Sequence, residues 1–435
     1  MSKSDLPLIK FNPKLPRLSD SEKRVLKLLQ EAGELMVPLY LEQKRLIKAV
    51  SKEEIEKAAE ADSSLLDHYT IVEKVNNKLI ATQYHLRFSK YLEPIADKLN
   101  QASNTTDSKD FSRFLRLQAK ALLDGSYEQA IVAGFRMKPY IIDISIGPTE
   151  HFDHQLFSSK AVYQSWIGII DIEGTKRLNN YRDIILSARR GALIPGERVE
   201  NYKNVKAKTL DVVQFSGFLA ETKFVGVNMP MNLQLVEKYG SEITIFNQTN
   251  DLRMKEQIIP TFNRVFSKEF REEFTLEDLR RASLRYVALH ELAHNYLYYK
   301  NAPKNLQDLL PVIYELTATL VGMRIAGSLL LKEVITNKQL ESMIIAFICR
   351  SLYLIEQSRK RKFMINYATG GVIFINFMLE SGALRRLKGL AIPNFMKIFV
   401  SLHELSFILE RLLSSGTRKD AASFIKKYGR VTSIA

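Results

Sequence analysis

The 435-residue chain contains a single cysteine, Cys349. One thiol excludes an intramolecular disulfide and any thiolate-built zinc site, and it suits a reducing, cytoplasmic setting. Histidine is also scarce, at 7 residues, so a cluster of them stands out. The opening stretch MSKSDLPLIKFNPKLP has no apolar core, and no secretory signal is expected there. Long uncharged apolar runs are missing too. The longest, 309 to 331, carries Glu315 and Arg324, so it reads as a buried helix and not as a membrane span. Repeats and low-complexity segments are absent. Acidic residues are outnumbered, 48 against 63 basic, for a net charge of +15. The Lys and Arg are nevertheless spread along the chain. Their densest run, Arg359 to Lys362, reads as a solvated helix end, so a nucleic-acid partner is not expected.

What is present is ordinary for a globular protein: 46% apolar and 26% charged residues, in a chain long enough for two lobes. Residues 1 to 18 read as an extended arm. Ser19 with Glu22 forms a capping-box pattern, and the apolar spacing after it predicts a helix to about Val50. Ser51 with Glu54 repeats the signal for a short helix. Two alternating runs, 69 to 75 and 78 to 83, flank Asn76-Asn77 as a hairpin does. Helices are expected at about 86 to 101 and 109 to 124, then a strand at 140 to 146 that ends in a Gly147-Pro148 turn.

After that turn come Glu150, His151, Phe152, Asp153 and His154. Two histidines and two acids so close together suit a second metal site, part of a substrate cleft, or a polar loop that caps the next helix. Helices are expected at about 156 to 168 and 174 to 190, and strands near 210 to 216, 223 to 228 and 242 to 246. From about 251 onward the pattern is almost wholly helical. The expected organisation is α+β: a mixed lobe over 19 to 170 and a mainly helical lobe over 171 to 435. The strands of 210 to 250 belong to the second lobe by sequence but are candidates to return to the first.

The chemistry concentrates in YVALHELAHNYLYYKNAPKNLQDLLPVIYELTATLVG, residues 286 to 322. His290, Glu291 and His294 form an H-E-x-x-H pattern. On a helix, positions 290 and 294 lie on one face, so two imidazoles can reach one ion. Glu291 sits beside them, where a carboxylate can take a proton from a water on the metal without ligating it. Glu315, on the next apolar segment, would complete a His₂Glu set and leave a fourth position open, as catalytic zinc sites do. Pro303 breaks the chain between the two segments, Pro311 suits the first turn of the second helix, and Gly322 and Gly327 lie towards its end. His₂Glu suits zinc, with cobalt or manganese as further candidates.

Several stretches together resemble the dipeptidyl peptidase III family of zinc metallopeptidases. IGPTEHFDHQLFSSKAVYQSWIGIID (146 to 171) looks like the family's strand and substrate segment. GVNMPMN (226 to 232) resembles its Asn-x-Pro-Asn stretch, and YELTATLVG (314 to 322) its second zinc motif. The resemblance implies one Zn²⁺ per chain held by His290, His294 and Glu315, with Glu291 as general base. It implies that Glu150 and Asn228 bind the amino end and backbone of a short peptide. It also implies two lobes with a cleft between them, the lower one built around a small β-barrel-like sheet.

Phe152 stands where the family has a tyrosine, Met231 where it has a second Asn, and Tyr314 and Thr319 where its second motif has acids. His151 or Tyr367 is the candidate to supply the missing oxyanion donor. The leading expectation is a zinc-dependent peptidase of short peptides, cytoplasmic, with no membrane partner and a monomer favoured. The alternative is a catalytically weakened metal-binding homologue that uses its cleft to bind peptides or a protein partner. A basic-surface nucleic-acid binder is third, and salt-sensitive binding would reveal it.

Overall fold

Ser19 accepts a hydrogen bond from the Glu22 amide while the Glu22 carboxylate accepts from the Ser19 amide at 2.7 Å, and this closed cap starts a long helix, Asp20–Ile47. It belongs to a computed structural model that describes residues 6–150, 160–188, 194–198, 204–230, 232–360 and 364–430. The chain divides into two compact units. The first holds residues up to 172 together with 209–224 and 230–235, and the second holds 173–208, 225–229 and 236 onward.

In the first unit, strand β1 (Leu8–Lys10) lies antiparallel to a later strand, so part of the proline-rich arm has a place in the sheet. The hairpin β2 (Thr70–Val75) and β3 (Lys78–Gln83) forms as its turn chemistry requires. Asn76 and Asn77 take φ of 48° and 60°, the left-handed pair that asparagine tolerates. Helices Ser89–Thr105 and Lys109–Asp124 follow, the second closed by Gly125 at φ 78°.

Two expectations fail in the next segment. Strand β4 (Ile142–Glu150) runs through Gly147 and Pro148, which pair with Gln164 and Tyr163, and a bulge between Pro148 and Glu150 takes the place of a turn. Residues 162 to 168, part of the helix expected at about 156 to 168, lie in strand β5 (Val162–Ile170) instead. Eight of its nine residues are buried, because β4 and β6 (Val205–Gly217) flank it and side chains on both faces are covered. A strand buried on both sides loses its alternation, and a short apolar run then reads equally well as helix. The Asp20–Ile47 helix lies close to this sheet at Gly33, where a Cβ would come 2.5 Å from Gln214 and 3.0 Å from Ile167.

In the second unit, β7 (Gly226–Met229) pairs antiparallel with β8 (Ser241–Phe246), and β8 neighbours β6. The strand order is open; among the described residues no barrel closes. Helix Ile172–Ala188 matches expectation. The remainder is helical except for a hairpin, β9 (Leu384–Leu387) with β10 (Leu390–Pro393). One continuous apolar core surrounds the motif helix Leu276–His294, the Glu315 helix Leu310–Leu331, and the helices Asn337–Lys360, Ile365–Glu380 and Phe395–Ser415. The Glu315 helix, with a short helical turn before it, is the one described segment apolar and long enough to cross a membrane, and most of it is buried inside the protein. Gly322 lies in its middle rather than near its end.

Candidate metal centre

Thr275 caps the motif helix by accepting from the Asp278 amide at 3.0 Å, and the helix runs unbroken until Asn295 closes it just after His294. Its last turn therefore presents His290 and His294 on one face, both buried. Their Nε2 atoms lie 3.1 Å apart, with the rings nearly perpendicular. Glu315, on the neighbouring helix, points Oε2 at the same place: 3.3 Å from His290 Nε2 and 3.8 Å from His294 Nε2.

Gly322 makes that approach possible. A Cβ there would sit 2.7 Å from the Leu289 carbonyl and 3.0 Å from the His290 amide, so only a glycine lets the Glu315 helix lie against this turn. Gly322 is seven residues beyond Glu315, two turns along the same face.

The donor set fits a four-coordinate metal. A tetrahedron with bonds of about 2.0–2.1 Å has edges of roughly 3.3–3.4 Å, which lie within the 3.1–3.8 Å spread of the three donor separations. Glu315 Oε2 is buried and has no hydrogen-bond donor among the described residues. Thr319 Oγ1 is 2.9 Å from His290 Nδ1 and donates to the Glu315 carbonyl at 3.2 Å, so it accepts from the imidazole and leaves the Nε2 lone pair facing Glu315. His294 is held differently. Its Nδ1 has no partner among the described residues, and its ring lies against Tyr314 with centroids 4.7 Å apart.

Thr319 and Tyr314 are the positions that sequence reasoning treats as losses relative to the family. Thr319 in fact orients a histidine, and its signal was legible: a hydroxyl four residues after an acid on a helix can back-bond to that acid's carbonyl and still accept a further bond.

Glu291 also belongs to the cluster, with a carboxylate oxygen inside the same small group of donors. Of the two acids, Glu315 completes the triangle with both Nε2 atoms, while Glu291 is turned towards β7. There Gly226 makes room: a Cβ on it would meet Glu291 Cγ at 2.9 Å and Oε1 at 3.0 Å. Burial pushes Glu291 up to about 7, against the opposing pull of His290. Burial pushes His294 down to about 3. For His290, burial also pushes down, but the pairing that a protonated ring would make with Glu315 and the charges of Glu291 and Glu315 outweigh it and raise its value. Glu315 is lowered: burial opposes this, and His294, His290 and a hydrogen bond from Tyr367 overcome it.

Asn228 and Tyr367 lie in this unit. Asn228, on β7, donates Nδ2 to the Glu291 carbonyl at 3.3 Å, and its Oδ1 is buried without a partner. Tyr367, half-buried on the Ile365–Glu380 helix, reaches Glu315. Glu150 ends β4, where its backbone pairs with Val162 in the first unit, and its side chain is outside the description. His151, Phe152, Asp153 and His154 lie outside the described residues, as does Met231.

An α+β chain in two units, with a buried two-histidine, two-glutamate centre on adjacent helices, is what the fold and site define. The fold is that of dipeptidyl-peptidase III. The structure from Corallococcus sp. strain EGB superposes with a TM-score of 0.83 at 19% identity, over 98% of this chain and 91% of that one. The structure from Caldithrix abyssi gives 0.80 at 17% identity, over 96% and 91%. A curated relative, Nudix hydrolase 3 of Arabidopsis thaliana, is 22% identical over 393 residues, which is 87% of this chain; the match spans half the length of that relative. No family model matches the chain.

Proposed function

We propose that the chain is a zinc-dependent peptidase of short peptides, with His290, His294 and Glu315 as metal ligands and Glu291 as the acid–base group. The observation that carries this reading is the convergence of two imidazole nitrogens and one carboxylate oxygen within 3.1–3.8 Å, with a second buried carboxylate beside them. Zinc held there would lower the pKa of a water and polarise a peptide carbonyl.

The protein's own groups do the rest. Glu291, buried beside the two imidazoles, can take a proton from the attacking water and return it to the leaving amine. Thr319 holds the His290 tautomer. The buried Oδ1 of Asn228 has no donor among the described residues, so it is available to a peptide N–H or amine. Tyr367 is the described candidate for the oxyanion donor; Glu150 and His151 are proposed partners of the peptide's amino end. The peptidase named in both structural neighbours supports the substrate class. A cytoplasmic location and a monomeric state complete the proposal.

A second reading, a peptide-binding protein that keeps its metal but turns over weakly, is favoured by His294 Nδ1, which has no partner among the described residues. The two separate in one experiment. A peptide library incubated with wild-type and Glu291→Gln protein, both metal-loaded, shows Glu291-dependent cleavage in the first case. Binding without cleavage by wild type supports the second.

A further inference from the structure

Buried cations need a counter-charge, and Arg324 and Arg350 are the two buried cations described in the second unit. Arg324, the clearest case, is almost wholly buried and binds Glu410 at 3.0 Å and Ser406 at 2.9 Å. Arg350 does not follow this pattern. It is 7% exposed, on the Asn337–Lys360 helix, and no carboxylate lies within ion-pair distance among the described residues. Its Nη1 donates to Gln257 Oε1, and its Nη2 reaches the Met364 sulfur at 3.5 Å. Neither partner neutralises it.

The charge of a second guanidinium, Arg253, acts on it. Gln257 lies in a π-helical turn, Met254–Ile258, that continues directly from Arg253, and Arg253 precedes Gln257 by four residues on that stretch. Arg253 is half-buried and donates to Tyr286 Oη at 3.2 Å; it too lacks a carboxylate partner among the described residues. The acids nearest to both in sequence are engaged elsewhere: Asp251 holds Arg280 at 2.5 Å, and Glu356 holds Arg264 and Lys360 at 2.8 Å each. The carboxylate whose charge meets that of Arg253 is Glu291 of the metal cluster, beyond ion-pair distance.

Tyr286 fixes the location, because it sits one helical turn before His290 on the same face. On the other side, Tyr353 lies under the Arg350 guanidinium, 6.0 Å from its centre, and Tyr367 bonds Glu315. Burial, with Arg253 as the next cause, holds Arg350 down to about 9. Two like charges in one partly buried place cost free energy unless an anion joins them. π-helical turns of this kind are frequent at functional sites.

We propose that Arg253 and Arg350 form a carboxylate-binding site about one helix turn from the metal cluster, which takes the free carboxylate of a bound short peptide. Planar guanidiniums suit a carboxylate because they can bond both of its oxygens. Such a site would favour peptides whose carboxylate lies a fixed distance from the scissile bond. This inference rests on the peptidase reading above.

The test uses full-length, metal-loaded Glu291→Gln protein, so that peptides persist, with calorimetric binding of tetra-alanine as free acid and as C-terminal amide. The free acid is expected to bind about tenfold or more tightly, as for a charge-assisted pair. Arg253→Met, which changes only a half-buried side chain, should reduce that preference to less than twofold, and Arg350→Lys should reduce it in part while preserving the fold by circular dichroism. An amidated tetrapeptide carrying an internal aspartate distinguishes the source of the carboxylate: tight binding of that peptide alone would move the site from the chain end to a side chain and overturn the assignment as stated. Equal binding of acid and amide, with cleavage by wild type, overturns this site alone. No binding of either peptide and no cleavage by wild type overturns the peptidase reading and the site with it.

Discussion

The Thr319 hydroxyl stands 2.9 Å from His290 Nδ1 and also donates to the Glu315 carbonyl at 3.2 Å, so one side chain ties together a helix that carries two imidazoles and a helix that carries a carboxylate. Groups of this kind fix the tautomer and direction of a metal-binding histidine, and their removal typically costs about 10–100-fold in metal affinity. Thr319→Val, nearly isosteric but without the oxygen, should weaken zinc binding by about that factor in competition with a metallochromic chelator. Thr319→Ser should restore it. Equal affinity in all three proteins would remove Thr319 from the site.

Gly322 and Gly327 sit in the same helix and should respond oppositely to alanine. At Gly322 a Cβ would meet the Leu289 carbonyl at 2.7 Å, backbone that cannot swing aside, whereas at Gly327 the nearest atom is Phe399 Cζ at 3.8 Å. Gly322→Ala should therefore cost about 1–3 kcal/mol or more and loosen the metal site, because overpacking separates the two helices. Gly327→Ala should be neutral or stabilise by up to about 1 kcal/mol, since alanine is the better helix former. Urea denaturation of the two variants reads both outcomes.

The centre is largely legible in the sequence, and the reason is local. The i, i+4 spacing of His290 and His294 needs only a helix, and Thr275 with Asp278 and the unbroken apolar run announce one. Glu315 requires an αα connection, which Pro303 and Pro311 mark. The role of Gly322 beside Glu315 is not legible, because a glycine in an apolar helix signals an end as readily as a close approach. The failures cluster where tertiary burial removes the pattern. β5 loses its alternation by being covered on both faces, and Gly147-Pro148, a turn by composition, stays extended because β5 pairs with it across a bulge. The Arg253–Arg350 pair is beyond sequence reading, since a segment about a hundred residues earlier supplies Gln257.

Glu291 makes a pH prediction for metal-free protein. Burial raises it from an ordinary 4.5 to about 7, so the folded state binds its proton more tightly than the unfolded state. Its contribution to stability is then fully present below about 4.5 and is lost as pH rises through about 7. His294 has the opposite sign: lowered to about 3, it contributes above its ordinary 6.5 and loses that contribution as pH falls towards 3. Comparing wild type with Glu291→Gln isolates the glutamate. The variant should match wild type near pH 5 and exceed it at pH 8 by about 2–3 kcal/mol, since each tenfold change in proton affinity is worth about 1.4 kcal/mol. A difference independent of pH would mean that Glu291 is not buried as a carboxylate.

The most direct measurement joins metal content to cleavage in one preparation. Purified protein should carry, or take up, one equivalent of zinc, lose it in His290→Ala and Glu315→Ala, and keep it in Glu291→Gln. Short peptides should be cleaved by wild type and not by Glu291→Gln. Zinc absent at one equivalent, or cleavage that survives Glu291→Gln, would contradict a metallopeptidase built on this centre.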